Sequence, residues 1–166
     1  MLAHGRGRIL NVASTAAFQP TPYQAVYGAA KAFVLSFSRA LAEELRGSGV
    51  TVTALCPGPT RTGFIDALGS DVSDTAIYRR LADPGPVVDA GLRAMDRGRP
   101  AVVPGLRNRV QTIAVRFTPT GLVTRLSARL LASGAPRGAG KIDAAKIDAG
   151  KTDAATTGAA TTPGAR

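Results

Sequence analysis

Two short, nearly uninterrupted apolar runs, residues 8–13 and 50–56, bracket one long stretch of helical periodicity. This pattern constrains the fold more than any other feature of the chain. An apolar run of that length without polar alternation is the pattern of a strand buried on both faces, as in a parallel sheet. Between the runs, Val26, Ala30, Phe33, Val34, Phe37, Leu41 and Leu45 recur at helical spacing over residues 25–46. They are expected to form one core-facing stripe. Gly47-Ser48-Gly49 ends that helix. Strand, helix, strand is a βαβ unit, right-handed in nearly all known cases. Such sheets bind ligands beyond the carboxyl ends of their strands. Here Ser14 follows one strand end and Pro57-Gly58 the other, so the chemistry is expected to converge on one edge of the sheet.

The helix carries Tyr27 and Lys31, four residues apart and therefore one turn from each other on one face. An ammonium beside a phenol favours the phenolate, which makes tyrosine a usable general acid/base near neutral pH. Only Gly28, Ala29 and Ala30 separate the two, leaving room for a large ligand to approach. The Ser14 hydroxyl can hold a substrate oxygen against the tyrosine. Alone, a Tyr-x-x-x-Lys pair arises on many helices by chance, and a lone Ser is more often a loop hydroxyl or a cap.

Three motifs occur in order: Arg8-Ile9-Leu10-Asn11-Val12-Ala13-Ser14, Tyr27-Gly28-Ala29-Ala30-Lys31 and Pro57-Gly58-Pro59-Thr60-Arg61-Thr62. Together they resemble the classical short-chain dehydrogenases/reductases over residues 5–132, the second half of such an enzyme. The Ser14-to-Tyr27 spacing of thirteen fits that pattern. The resemblance implies an α/β fold, a partial Rossmann-like, doubly wound parallel sheet with C-terminal helices. It implies an NAD(P)-dependent oxidoreductase interconverting an alcohol and a ketone or aldehyde. In it Ser14, Tyr27 and Lys31 would be catalytic. Tyr27, Lys31, Pro57, Gly58, Thr60 and Thr62 would contact the cofactor. The long helix would also make subunit contacts, so a homo-oligomer is implied.

Residues 1–7 read as the frayed end of a helix and a turn, and residues 14–24 as a loop that Pro20 and Pro22 keep extended or turned. Residues 60–86 resemble a substrate-covering lid whose apolar side chains hint at a lipophilic substrate or simply pack on the domain. A helix is expected over 87–95 and a short strand over 101–104. A second helix should span 108–117, with Val110, Ile113, Ala114 and Phe117 in register. Thr118-Pro119 then reads as an N-cap followed by proline at the first helical position of a last helix, to about residue 133. Seven Arg and no acid lie between residues 97 and 129. A basic amphipathic pair can lie on an anionic membrane, but docking on the parent domain with the Arg in water is favoured here.

Residues 1–133 are thus expected to form the folded part. From residue 134 three copies of a five-residue unit appear, led by Lys141, Lys146 and Lys151. Five is neither a helical nor a heptad period, so a disordered low-complexity tail is expected over 134–166. One Cys and one His leave no disulfide framework and no ordinary zinc site. Cys56 reads as a small buried hydrophobe. The net charge of +10 is carried mainly by Arg, and charge alone does not specify nucleic acid. Neither signal peptide nor membrane span is expected, so the location is taken as cytoplasmic. No Gly-rich phosphate turn is found before Arg8 or later after a strand. The adenine half of the cofactor site and the NAD-versus-NADP choice are therefore not readable. A truncated chain, inactive by itself, is expected. A misplaced start, gene decay or a second chain supplying the other half would each account for it. The competing expectation is a non-enzymatic remnant that binds a partner or membrane through its basic C-terminal helices.

Overall fold

The computed structural model describes residues 1–63 and 81–132 of the chain. Most of the expected lid, and the whole repeat-bearing segment from residue 134, lie outside the described residues. The described part is α/β. Strands β1 (Gly7–Val12), β2 (Val50–Leu55) and β3 (Ala101–Val102) form a parallel sheet in the order β1-β2-β3. Helix α1 (Ala25–Glu44) connects the first two strands, and α2 (Pro84–Asp96) lies between β2 and β3 in sequence. Helices α3 (Leu106–Phe117) and α4 (Thr120–Leu131) follow.

The middle strand is the core. Val52, Ala54 and Cys56 are fully buried, and Ala13 and Leu35 pack with the latter two. Thr53 is equally buried and donates its hydroxyl to the Arg99 carbonyl at 2.7 Å, which satisfies that group. A Cβ added at Gly91 of α2 would lie 2.9 Å from Leu55, which shows how closely that helix lies on β2. The turn into β2 also depends on glycine: Gly49 has φ +78° and faces the Gly5 carbonyl at 1.9 Å from a hypothetical Cβ.

β1 departs from the expected two-sided burial. Among the described strands it pairs with β2 alone, the exposed edge that the family's sheet without its first half implies, and Val12 is 53% exposed. A hydrophobic run reports the burial a strand seeks, whereas its neighbours decide what it obtains.

The stripe on α1 is likewise only partly core. Gly28, Leu35 and Ser38 make the buried face, with Val34, Leu41 and Leu45 half-buried. Val26 is 84% exposed, Phe33 is 68% exposed, and Phe37 also faces solvent. Leu35, outside the expected stripe, is the large side chain that reaches the core. Ser38 anchors that face by accepting from Asn11 Nδ2 at 3.0 Å and donating to the Val34 carbonyl at 2.6 Å. Outside it, the Phe33 and Phe37 rings stack at 5.9 Å.

One expectation fails at the C-terminal end. Thr118 donates its hydroxyl back to the Ala114 carbonyl at 2.9 Å and so closes α3. Pro119 takes the N-cap position of α4, where its carbonyl accepts from Leu122 and Val123. Both helices do pack on the body with their arginines in water: α4 buries Val123, Ser127 and Leu131, and Arg107, Arg109, Arg116, Arg125 and Arg129 are exposed. Helix α3 turns Thr112, with half-buried Asn108 and Val115, toward the body. Leu106, Val110, Ile113 and Phe117 stand on the opposite side, exposed. Asn108 donates to the Pro104 carbonyl at 2.9 Å at the start of the same helix and lies against Gly58.

Candidate active site

The carboxyl ends of β1 and β2 are tied together. Ala13 N–H donates to the Leu55 carbonyl at 2.8 Å, and Thr15 N–H to the Pro57 carbonyl at 2.9 Å. The Ser14 loop and the Pro57-Gly58 turn therefore share one edge, as the βαβ pattern predicts. Ser14 is buried, extended and caps the short 3-10 helix Thr15–Phe18: its Oγ accepts from Ala16 N at 3.1 Å. That bond uses a lone pair and leaves the hydroxyl proton to be donated.

Tyr27 and Lys31 lie in the first two turns of α1, both half-buried. Lys31 Nζ stands 5.7 Å from the centre of the Tyr27 ring, within the range of a cation–π contact. It also donates to the Val12 carbonyl at 2.9 Å. Backbone groups alternate sides along a strand. Ala13 addresses β2, so Val12 turns its carbonyl away from β2, and Lys31 meets it there. One side chain thus fixes α1 to the end of β1 and holds a positive charge beside the phenol.

Helix α1 is placed by two further features. Tyr23 holds a left-handed φ of 67°, rare for a bulky aromatic residue, one turn before Tyr27. A Cβ at Gly28 would lie 1.9 Å from Thr21 Oγ1, whose hydrogen bond to the Gln24 carbonyl shapes the same turn. The space behind Tyr27 is therefore filled by Thr21, and the glycine there serves helix placement as well as ligand access.

In the other loop, Thr60 donates its hydroxyl to the Gly58 carbonyl at 2.9 Å. Its proton is spent inside the turn, while Thr62 is exposed. The turn is pinned to the chain beyond the undescribed segment by Arg61 N–H to the Ala82 carbonyl and Ala82 N–H to the Pro59 carbonyl. Asn108 closes over Gly58: a Cβ there would meet its Nδ2 at 2.6 Å. Sequence reasoning passes over both Thr21 and Asn108. A polar residue on the side of α3 opposite its apolar row was the available signal for Asn108.

Cys56, between these loops, is buried, and burial pushes its thiol up to about 11. Arg39 opposes that only in part. The residue is core, as read from the sequence. An open cleft of about 240 Å³ adjoins the Ser14 loop, lined by Phe18, Pro20, Val115, Arg116 and Val123 among others. Among the described residues, no group of acidic, His and Cys side chains could hold a metal, and no helix is long and apolar enough to cross a membrane.

Parallel β-α-β topology with Ser, Tyr-x-x-x-Lys and Pro-Gly at one sheet edge defines a class. Residues 1–73 match the short chain dehydrogenase model, so this part of the chain is that of a short-chain dehydrogenase/reductase. Among curated relatives it is similar to the uncharacterized oxidoreductase YvrD of Bacillus subtilis, 40% identical over 94 residues, which are 51% of this chain and 35% of that protein. Among solved structures it resembles a short-chain dehydrogenase from Sphingobium yanoikuyae in complex with NADPH. That match has 34% identity and a TM-score of 0.59 over 73% of this chain and 46% of the other. It also resembles a 7beta-hydroxysteroid dehydrogenase at 26% identity and TM-score 0.63, over 76% and 49%. The chain spans about a third of the length of curated relatives such as YvrD and about half that of the solved structures.

Proposed function

We propose that this chain carries the proton-transfer half of an NAD(P)-dependent oxidoreductase that interconverts an alcohol and a ketone or aldehyde. The observation that carries the reading is the position of Lys31, between the Tyr27 ring and the Val12 carbonyl at the sheet edge that Ser14 and Pro57-Gly58 share. The NADPH bound by the Sphingobium relative supports the cofactor class.

The residues present suit the nicotinamide end of such a cofactor. An ammonium has three donors and Val12 accepts one, so Lys31 has donors to offer a ribose. Exposed Thr62 and the Pro57-Gly58 turn would hold the nicotinamide side, with Thr60 stiffening that turn. When bound, the cofactor supplies or accepts the hydride. Ser14 then donates to the substrate oxygen and orients it. Tyr27 gives that oxygen a proton during carbonyl reduction and takes it back during alcohol oxidation. Lys31 stabilises the phenolate left behind. Phe18 and Val123 in the adjoining cleft suit a substrate with an apolar part.

The exposed Val26, Phe33 and Phe37 support a subunit contact through α1 in a homo-oligomer. The same reading puts the protein in the cytoplasm. The exposed rows on α3 and α4 favour an additional contact surface at that end.

The test is carbonyl reduction followed as NADPH consumption. Tyr27→Phe is expected to lower the rate by about 10²–10⁴-fold, the usual worth of a positioned acid/base, with the circular dichroism unchanged. Undiminished turnover in Tyr27→Phe would overturn the assignment.

A further inference from the structure

Helix α3 presents a combination that a docked surface helix does not need. Its apolar residues Leu106, Val110, Ile113 and Phe117 recur at i, i+4, i+7 and i+11, one row along the helix. Leu106 is 78% and Phe117 84% exposed. The row stands opposite buried Thr112 and half-buried Asn108. At about 100° per residue, Arg109 and Arg116 flank it on one side and Arg107 on the other. All three are exposed. Helix α4 repeats the arrangement: Leu122, Leu126 and Leu130 form an exposed row, bordered by exposed Arg125 and Arg129. No acidic residue occurs anywhere between Arg97 and Arg129.

We infer that α3 and α4 form a peripheral docking surface for an anionic lipid bilayer. An apolar row edged by guanidinium groups fits an interface where acyl chains lie just beneath negatively charged headgroups. Charge complementarity selects this occupant. A second copy of the same surface would set five arginines against five with no carboxylate to meet them. A soluble protein partner would need a compensating acidic face around an apolar groove, whereas an anionic bilayer supplies both at once. The helices are too short to span a membrane, so the attachment is reversible and lies in the plane of the interface.

The test is co-sedimentation of the full chain with phosphatidylglycerol/phosphatidylcholine vesicles and with pure phosphatidylcholine vesicles. Binding to the anionic vesicles is expected, falling at least about tenfold between 50 and 500 mM salt as screening sets in. Little binding is expected to pure phosphatidylcholine. Arg107→Gln combined with Arg109→Gln should weaken the anionic binding by about thirtyfold, two surface charges' worth. Ile113→Glu with Phe117→Glu should abolish it. Both pairs are exposed, so the thermal melt should not move. Equal binding to both vesicle types would overturn the proposal, as would binding that survives either pair, which would assign it to the lysine-bearing repeat. A dimer in solution dispersed by Ile113→Glu/Phe117→Glu, with no vesicle binding, would assign the surface to a second copy instead.

Discussion

Lys31 does more than accompany Tyr27. By reaching the Val12 carbonyl it also fixes α1 against the end of β1. Lys31→Met should therefore lose both the charge beside the phenol and this tether. Lys31→Arg would keep the charge but not the reach of a compact ammonium. Around this pair, single atoms decide the outcome of substitution. Gly28→Ala, which in an open helix would stabilise by up to about 1 kcal/mol, should here destabilise by about 1–3 kcal/mol. The new methyl meets the buried, β-branched Thr21. In a Thr21→Ala background the same change should recover most of that loss, which urea denaturation would measure. Gly58→Ala should behave in the same way toward Asn108 and be relieved by Asn108→Ala. For Cys56, a thiol raised to about 11 against an ordinary 9.0 stays neutral well into the alkaline range. Alkylation by iodoacetamide near pH 8 should be about a hundredfold slower than for the unfolded chain. The linked stability is fully present below pH 9 and is lost as pH rises toward 11, because the unfolded chain releases its proton first. The Lys31–Val12, Gly28–Thr21 and Gly58–Asn108 contacts were not legible in the sequence. Ser14, Tyr27 and Lys31 were, through their spacing, but Thr21 and Asn108 act through tertiary contacts that no spacing rule reports.

At the scale of elements, the βαβ unit is where sequence and structure agree best. Residues 50–56 announced a buried strand, and β2 is one, because it has a neighbour on each side. Residues 8–13 announced the same and obtained less, since pairing partners are outside what a hydrophobic run encodes. The α1 stripe failed for a related reason. Periodicity marks which residues shun water and does not say whether sheet or partner will cover them. Leu35, outside the expected stripe, and Ser38, which a hydropathy pattern discounts, make the sheet contact, while Phe33 and Phe37 remain outside. If those rings cover a subunit contact, Phe33→Glu with Phe37→Glu should lower the mass seen by light scattering and leave the melting temperature of the monomer little changed. An unaltered mass would remove α1 from the interface. The C-terminal pair taught the opposite lesson. Its five-arginine, acid-free composition was legible, and the direction of its apolar rows was not, because periodicity does not say which side of α3 meets the body.

At the scale of the whole molecule, three features lie at different places on one small α/β body: the proposed proton-transfer edge, the outward face of α1 and the arginine-edged apolar rows of α3 and α4. The family resemblance was legible because its three motifs occur in order, and the matches to known dehydrogenases bear it out. A reaction needs the edge to meet a nicotinamide, so the direct measurement is two-dimensional NMR of the isotope-labelled full chain titrated with reduced nicotinamide mononucleotide. The account predicts saturable shifts confined to the amides of Ser14, Tyr27, Lys31, Gly58, Thr60 and Thr62, largely lost in Lys31→Met. Saturable shifts elsewhere, shifts that persist in Lys31→Met, or none at all from a folded chain would contradict it.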